Sequence, residues 1–331
     1  MTYFYLRWTK KRPSLCTLRD TREELDELVG TDPITFECDT RIRGCPDIFE
    51  TVHVCGTIGP ELADYTTHPE KSLHKTLPAK IYQISHLQKS LRKMKVDKSV
   101  KTAKHLLDED PVYLLRRLPI LMFEDVIPHE SLIAIMWLTM ACGKGFRLKT
   151  AMVEWLLGVV HFLASSPGNI RTENPTGEPY ECQTESICPS VLRDISGTES
   201  DILRCIILRI SYGGMKGDMG MLRYFTTLLS GHFRESRSID RTKIRCIQSD
   251  LPGLDRGSWD LCANDFHCNH SLLPNVRKKY PQFSEDYLKG LIWNYSSGPN
   301  VRFKALPPND DWLRIKPYVR WLQSQMIPNR F

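Results

Sequence analysis

A chain of 331 residues, 41% hydrophobic and 25% charged, is long enough to bury a core and too apolar for a disordered or fibrous polypeptide. Its formal net charge of +6 is modest, and its eleven scattered cysteines do not form the compact framework that staples small secreted domains, so a reducing interior is expected. The most apolar stretches, 132–142 and 156–164, fall short of a bilayer span, and no membrane is expected as a partner.

Residues 1–79 are rich in Thr, Pro, Gly and Cys. The segments ITFEC (34–38) and TVHVCGTI (51–58) show the partial alternation of short strands, so this region is expected to be an irregular or weakly β arm. Its first 30 residues carry Arg7, Lys10, Lys11, Arg12 and Arg19 with no acid before Asp20, but no continuous apolar stretch of a secretory signal. The expected location is intracellular, nuclear or cytoplasmic, and a mitochondrial leader is the alternative reading of the basic pattern. In a strand, His53 and Cys55 would share a side, a weak signal for a metal site or a Cys–His nucleophile.

From Lys80 the pattern turns helical, and the fold class expected is mainly α: a multi-helix bundle over 80–167, followed by a mainly helical region over 168–331. Leu87, Leu91 and Met94 recur at spacings of four and three. Asp110 followed by Pro111 reads as an N-cap with proline at the first helical position, and Pro119 is expected to kink or divide the helix that follows. Further helices are expected over 130–142, 148–164, from about Asp201, over 221–229, 284–294 and 310–325. Residues 165–198 read as loop, and 230–270 resist assignment.

Between Lys80 and Lys104 stand eight lysines or arginines against the single Asp97. If Lys89, Arg92, Lys93, Lys95, Lys98, Lys101 and Lys104 shared a face they would attract phosphates; the alternative is an ordinary solvated face. Near the C-terminus Arg314, Lys316 and Arg320 interleave with Trp312, Tyr318 and Trp321, the combination that holds a nucleic-acid backbone while stacking its bases. Tryptophans also serve simply to dock a terminal helix.

The segment YLLRRLPILMFEDV (113–126) sets Arg116 and Arg117 against Glu124 and Asp125. On an uninterrupted helix Arg117 and Glu124 lie on one face two turns apart, which favours a structural polar network over acid–base catalysis. In SYGGMKGDMGM (211–221), Gly213, Gly214 and Gly217 permit close backbone approach and Lys216 could meet a phosphate, making a candidate phosphate site; tight helix packing is the competing reading. Cys262, His267, Cys268 and His270 supply four sulfur and imidazole donors within nine residues, a candidate structural zinc site at spacing poor for a finger. No cofactor is the first expectation and structural zinc the alternative.

Residues 84–167, through HLQKSLRK (86–93), AKHLLDEDPVYLLRRLPILMFEDV (103–126) and HFLASSP (161–167), resemble the C-terminal, collar-like helical domain of the RarA, MgsA and WHIP family of AAA+ replication and repair proteins. In that resemblance the acidic-Pro turn, the arginine pair and the following acids correspond to Asp110, Pro111, Arg116, Arg117, Glu124 and Asp125. It implies a helical module for oligomerisation or partner binding in DNA maintenance. The chain has no GxxxxGK[S/T] loop, so an ATPase engine is not expected.

The function expected is thus a non-ATPase nucleic-acid-binding or scaffold protein of a replication or repair type of assembly, with DNA or RNA and a protein complex or homo-oligomer as partners. One alternative is a metal-dependent phosphodiesterase or nucleotidyl enzyme built on Lys216, Asp218, Asp265 and His267. The other is a structural subunit of a larger particle.

Overall fold

The computed structural model describes residues 1–42, 51–67, 80–168, 189–252, 254, 256–264, 272–298, 302 and 306–326. In chain order its elements are β1 (Thr2–Thr9), β2 (Arg12–Arg19), α1 (Arg22–Val29), β3 (Phe36–Arg41), β4 (Thr51–Ile58), α2 (Lys80–Arg92), α3 (Val96–Glu109) and α4 (Pro111–Asp125). There follow α5 (Ser131–Cys142), α6 (Thr150–Ser165), α7 (Gly197–Ser211), α8 (Lys216–Arg234), α9 (Leu272–Lys279), α10 (Glu285–Ile292) and α11 (Asp310–Gln325). The protein is mainly α with a small β arm at its N-terminus, the class expected.

The arm is more regular than the sequence suggests. Its four strands form a mixed sheet in the order β2-β1-β4-β3, with β1 parallel to β4 and the outer pairs antiparallel. One face is covered by α1, whose Leu25 and Val29 pack on Tyr5 and Cys55. That helix begins with a capping box in which Thr21 and Glu24 satisfy each other's backbone amides. On the other face Trp8 meets Trp155 edge-on at 5.4 Å, and the Trp137 indole N–H is shared between the carbonyls of Cys55 (2.9 Å) and Phe4 (3.2 Å).

Two compact units emerge. The first comprises Met1–Thr66, Asp110–Val159 and Ile170–Ser249; the second comprises Thr67–Glu109, Val160–Asn169 and Asp250–Phe331. They cut across the division at 79 and 167 expected from composition, because α5 builds onto the sheet whereas α2 packs with α3 and with the short helix Leu261–Asn264.

In the first unit, Asp110 caps α4 by accepting from the Tyr113 amide at 3.2 Å, with Pro111 opening the helix. Pro119 does not divide α4, which runs through it as one element. Helix α7 is tied to β2 by Asp201, a buried carboxylate that accepts from the Thr17 hydroxyl (2.7 Å) and the Leu18 amide (3.0 Å). Burial raises its pKa even against those hydrogen bonds.

The second unit has its own core: Leu272, Leu273 and Val276 of α9, Leu288, Leu291 and Ile292 of α10, and Trp312, Ile315 and Val319 of α11. The 3, 4 spacing of the last three makes α11 an amphipathic helix with one face left for other use.

Candidate nucleic-acid interface

The basic run of α2 and α3 does not form a phosphate-facing stripe. Lys89 and Arg92 are 2% and 1% exposed and both donate to the Ser297 carbonyl, at 3.0 and 2.8 Å. Their cationic heads also lie 5.5 and 5.6 Å from the centre of the Trp293 ring. Lys93 reaches Asp260 at 3.1 Å and the Cys262 thiol at 2.8 Å. Burial opposes the charge on Lys93, yet Cys262 and Asp260 outweigh it and raise the amine pKa. Asp260 is likewise opposed by burial but brought down to about 2 by Lys93 and Cys262. Lys104 pairs with Asp108 and Lys101 with Asp97 one turn away. Lys95 and Lys98 enter no ion pair among the described residues.

The physical reason is that α2 is packed on nearly all sides: Gln83 and every residue from Ser85 to Arg92 are buried, so these cations neutralise carbonyls and acids inside the unit. Replacing Arg92 by glutamine is accordingly expected to lower the unit's stability by about 2 kcal/mol and to leave the salt dependence of nucleic-acid binding unchanged. Denaturant titration of the variant beside a salt series checks both; normal stability with a reduced salt slope would return Arg92 to the interface.

The C-terminal basic and aromatic residues are arranged differently. Trp312 docks α11 into the core, whereas Trp321 is 54% exposed. Tyr318 stacks on Trp321 with ring centroids 5.5 Å apart at 16°, and the Lys279 ammonium from α9 sits 3.9 Å from the Tyr318 ring centre. Lys279, Tyr280, Pro317, Tyr318 and Trp321 line a shallow cavity of about 450 Å³. Arg314 and Arg320 are exposed and Lys316 half-buried on the same helix, and among the described residues none of the three enters an ion pair. The contribution of Lys279 was missed from sequence, although the run Arg277-Lys278-Lys279-Tyr280 repeats the basic and aromatic theme of α11.

The two sequence segments around arginine and glycine prove to be neighbours in the first unit. Arg117 bridges Asp218 (2.8 Å) and Glu124 (3.4 Å). Arg116 donates to the Tyr212 carbonyl at 3.1 Å, and Arg209 donates to the carbonyls of Arg116 and Gly213 at 2.8 and 2.9 Å. Burial, then the nearby Arg116 charge, brings Arg209 down to about 10. Asp125, closing α4, is fully buried.

Gly213 and Gly214 adopt φ of +71° and +153°, so their lack of a Cβ serves the turn between α7 and α8. Lys216 is exposed at the first position of α8, and nothing lies within 4 Å of a Cβ placed on Gly217, which does not fit tight packing there. Arg204, another arginine of α7, is turned to Asp20 at 2.6 Å.

Of the candidate zinc ligands, His267, Cys268 and His270 lie outside the described residues, as does Asp265. The Cys262 thiol is 2.8 Å from Lys93 and 3.0 Å from Asp260. Cys55 is no accessible nucleophile: it lies buried beneath α1, and burial pushes its thiol up to about 12. His53 instead contacts Asp39 at 2.8 Å. No helix among the described residues is long and apolar enough to cross a membrane. No protein-family model matches the chain, and neither does any curated protein or solved structure.

Proposed function

We propose that this protein binds single-stranded nucleic acid without strong sequence preference, using the exposed face of α11. The observation that carries the reading is the Tyr318–Trp321 stack, held by Lys279 and flanked by Arg314 and Arg320, whose charges no acid among the described residues neutralises. An exposed indole continuing an ordered aromatic stack offers a π-face to any base, while the cations around it hold the backbone. Burying the opposite face of α11 in the unit's core fixes this platform at no cost to its exposure. A replication or repair setting, with a protein complex or a second copy as partner, is part of the proposal and is supported by the resemblance of residues 84–167 to the collar-like module.

Trp321→Ala is expected to weaken binding to a labelled single-stranded oligonucleotide by roughly 5- to 150-fold, the equivalent of one base stack, with an unchanged thermal midpoint because Trp321 lies outside the core. A folded variant with wild-type affinity would overturn the reading.

A further inference from the structure

In the first unit, the β1–β2 hairpin and the segment 240–248 enclose a groove of about 600 Å³ lined by Thr9, Lys10, Lys11, Arg12, Arg245 and Cys246 among others. We infer that this groove is a second nucleic-acid site, one that grips the sugar-phosphate backbone; the inference rests on the proposed nucleic-acid function and adds a separate surface to it.

Charge is the first argument. Lys10, Lys11, Arg12 and Arg245 are exposed, and among the described residues none forms an ion pair. Several other arginines of this unit are neutralised: Arg7 by Asp32, Arg22 by Asp26, Arg204 by Asp20 and Arg241 by Glu199. Four cations without an ion pair around one concavity focus a positive field that attracts a polyanion. Burial, then the charge of Glu154, raises the pKa of Cys246, and the groove remains net positive with Glu154 counted.

The turn supplies the second argument. Thr9 pairs with Arg12, so Lys10 and Lys11 are the whole turn, and Lys10 has φ +72°. Two-residue hairpins place Gly, Asn or Asp at such positions. Lysine there works against backbone preference, which points to a use for its charge.

Preorganisation is the third. The 240–248 segment is fastened in place: the His129 Nε2–H donates to the Thr242 carbonyl at 2.8 Å while its Nδ1 accepts from the Ser131 amide at 3.0 Å. The Ile247 amide donates to the Glu154 carbonyl at 3.0 Å, and the Cys246 thiol to the Lys11 carbonyl at 3.3 Å. A Cβ on Gly158 would lie 2.2 Å from the Arg245 carbonyl oxygen, so the strip lies directly on α6. A groove held this way loses little entropy on binding. Among the described residues its lining has no aromatic ring to stack a base and no exposed large apolar side chain to anchor in a bilayer, which favours a phosphodiester backbone over a base or a lipid surface.

The test compares the wild type, the Lys10→Gln/Lys11→Gln/Arg12→Gln/Arg245→Gln variant and Trp321→Ala on a labelled single-stranded oligonucleotide across a salt series. The groove variant is expected to bind at least tenfold more weakly at low salt and to flatten the slope of log K against log salt by up to about 3, since each phosphate that is no longer neutralised removes about 0.7. Trp321→Ala should weaken binding with its slope retained. An unaltered slope and affinity in the groove variant, with Trp321→Ala impaired, overturns the groove alone; a wild type that binds no oligonucleotide overturns both assignments. Acetylation footprinting of wild-type Lys10 and Lys11 requires no variant to fold: protection by saturating oligonucleotide supports the site, and full reactivity overturns it. So would wild-type protein that binds phosphatidylserine vesicles through these residues and leaves the oligonucleotide free.

Discussion

Gly158→Ala is expected to destabilise the first unit by about 3 kcal/mol, near the upper end for an overpacked site. The added methyl would stand 2.2 Å from the Arg245 carbonyl oxygen and 2.9 Å from the Ile244 Cγ2. The first of these is backbone, already fixed from both sides by His129 and Glu154, so relief requires moving the whole strip. Gly231 offers the matched control. It lies in α8 with nothing within 4 Å of its Cβ position, and alanine there should stabilise by up to about 1 kcal/mol through helix propensity. Denaturant unfolding of the two variants should therefore move in opposite directions. Two small shifts of the same sign would show that the 240–248 strip is not seated on α6.

Acid sensitivity of the second unit should centre on His86. The ring is fully buried, stacked on Trp259 at 4.4 Å, with Nδ1 2.7 Å from the Thr102 hydroxyl and Nε2 3.3 Å from the Ser258 carbonyl. Burial, helped by the charges of Lys98 and Lys93 and opposed by Asp260 and the Ser258 hydrogen bond, brings its pKa down to about 4. A histidine depressed in the folded state takes up its proton more readily when unfolded. Stability is thus complete above pH 6.5 and declines as the pH falls from 6.5 towards 4. Between pH 7 and pH 5 the loss should be about 2 kcal/mol greater for the wild type than for His86→Gln. Parallel pH profiles for the two proteins would remove His86 as the cause.

The sequence made α4, α5 and α11 legible because each carries its own punctuation: the Asp110-Pro111 start, the Gly143 and Gly145 stop, and the 312, 315, 319 stripe. Strands β1 and β2 both escaped notice, and for β1 the reason is physical. Helices cover both faces of β1, so TYFYLRWT is almost uniformly buried and loses the alternation by which a half-exposed strand is recognised. Charge misled in α2 for the converse reason. A lysine or arginine reads as surface, and nothing local to residues 89–93 reveals that Ser297 and Asp260, about 170 to 210 positions later, will accept their hydrogen bonds. The meeting of residues 113–126 with residues 211–221 through Arg117 and Asp218 is equally non-local. On α11, Trp321 was found by composition, whereas Lys279, and in the separate hairpin groove the Lys10–Arg12 turn, became visible as candidate binding groups only once their neighbours were placed.

Binding of single-stranded nucleic acid by α11 can be measured by a fluorescence-anisotropy titration of the wild-type protein against labelled single-stranded and duplex DNA and RNA at several salt concentrations. Binding should be tightest for single strands, tolerant of sequence and progressively weaker as salt rises. Absence of binding to every oligonucleotide at low salt would contradict the proposed function.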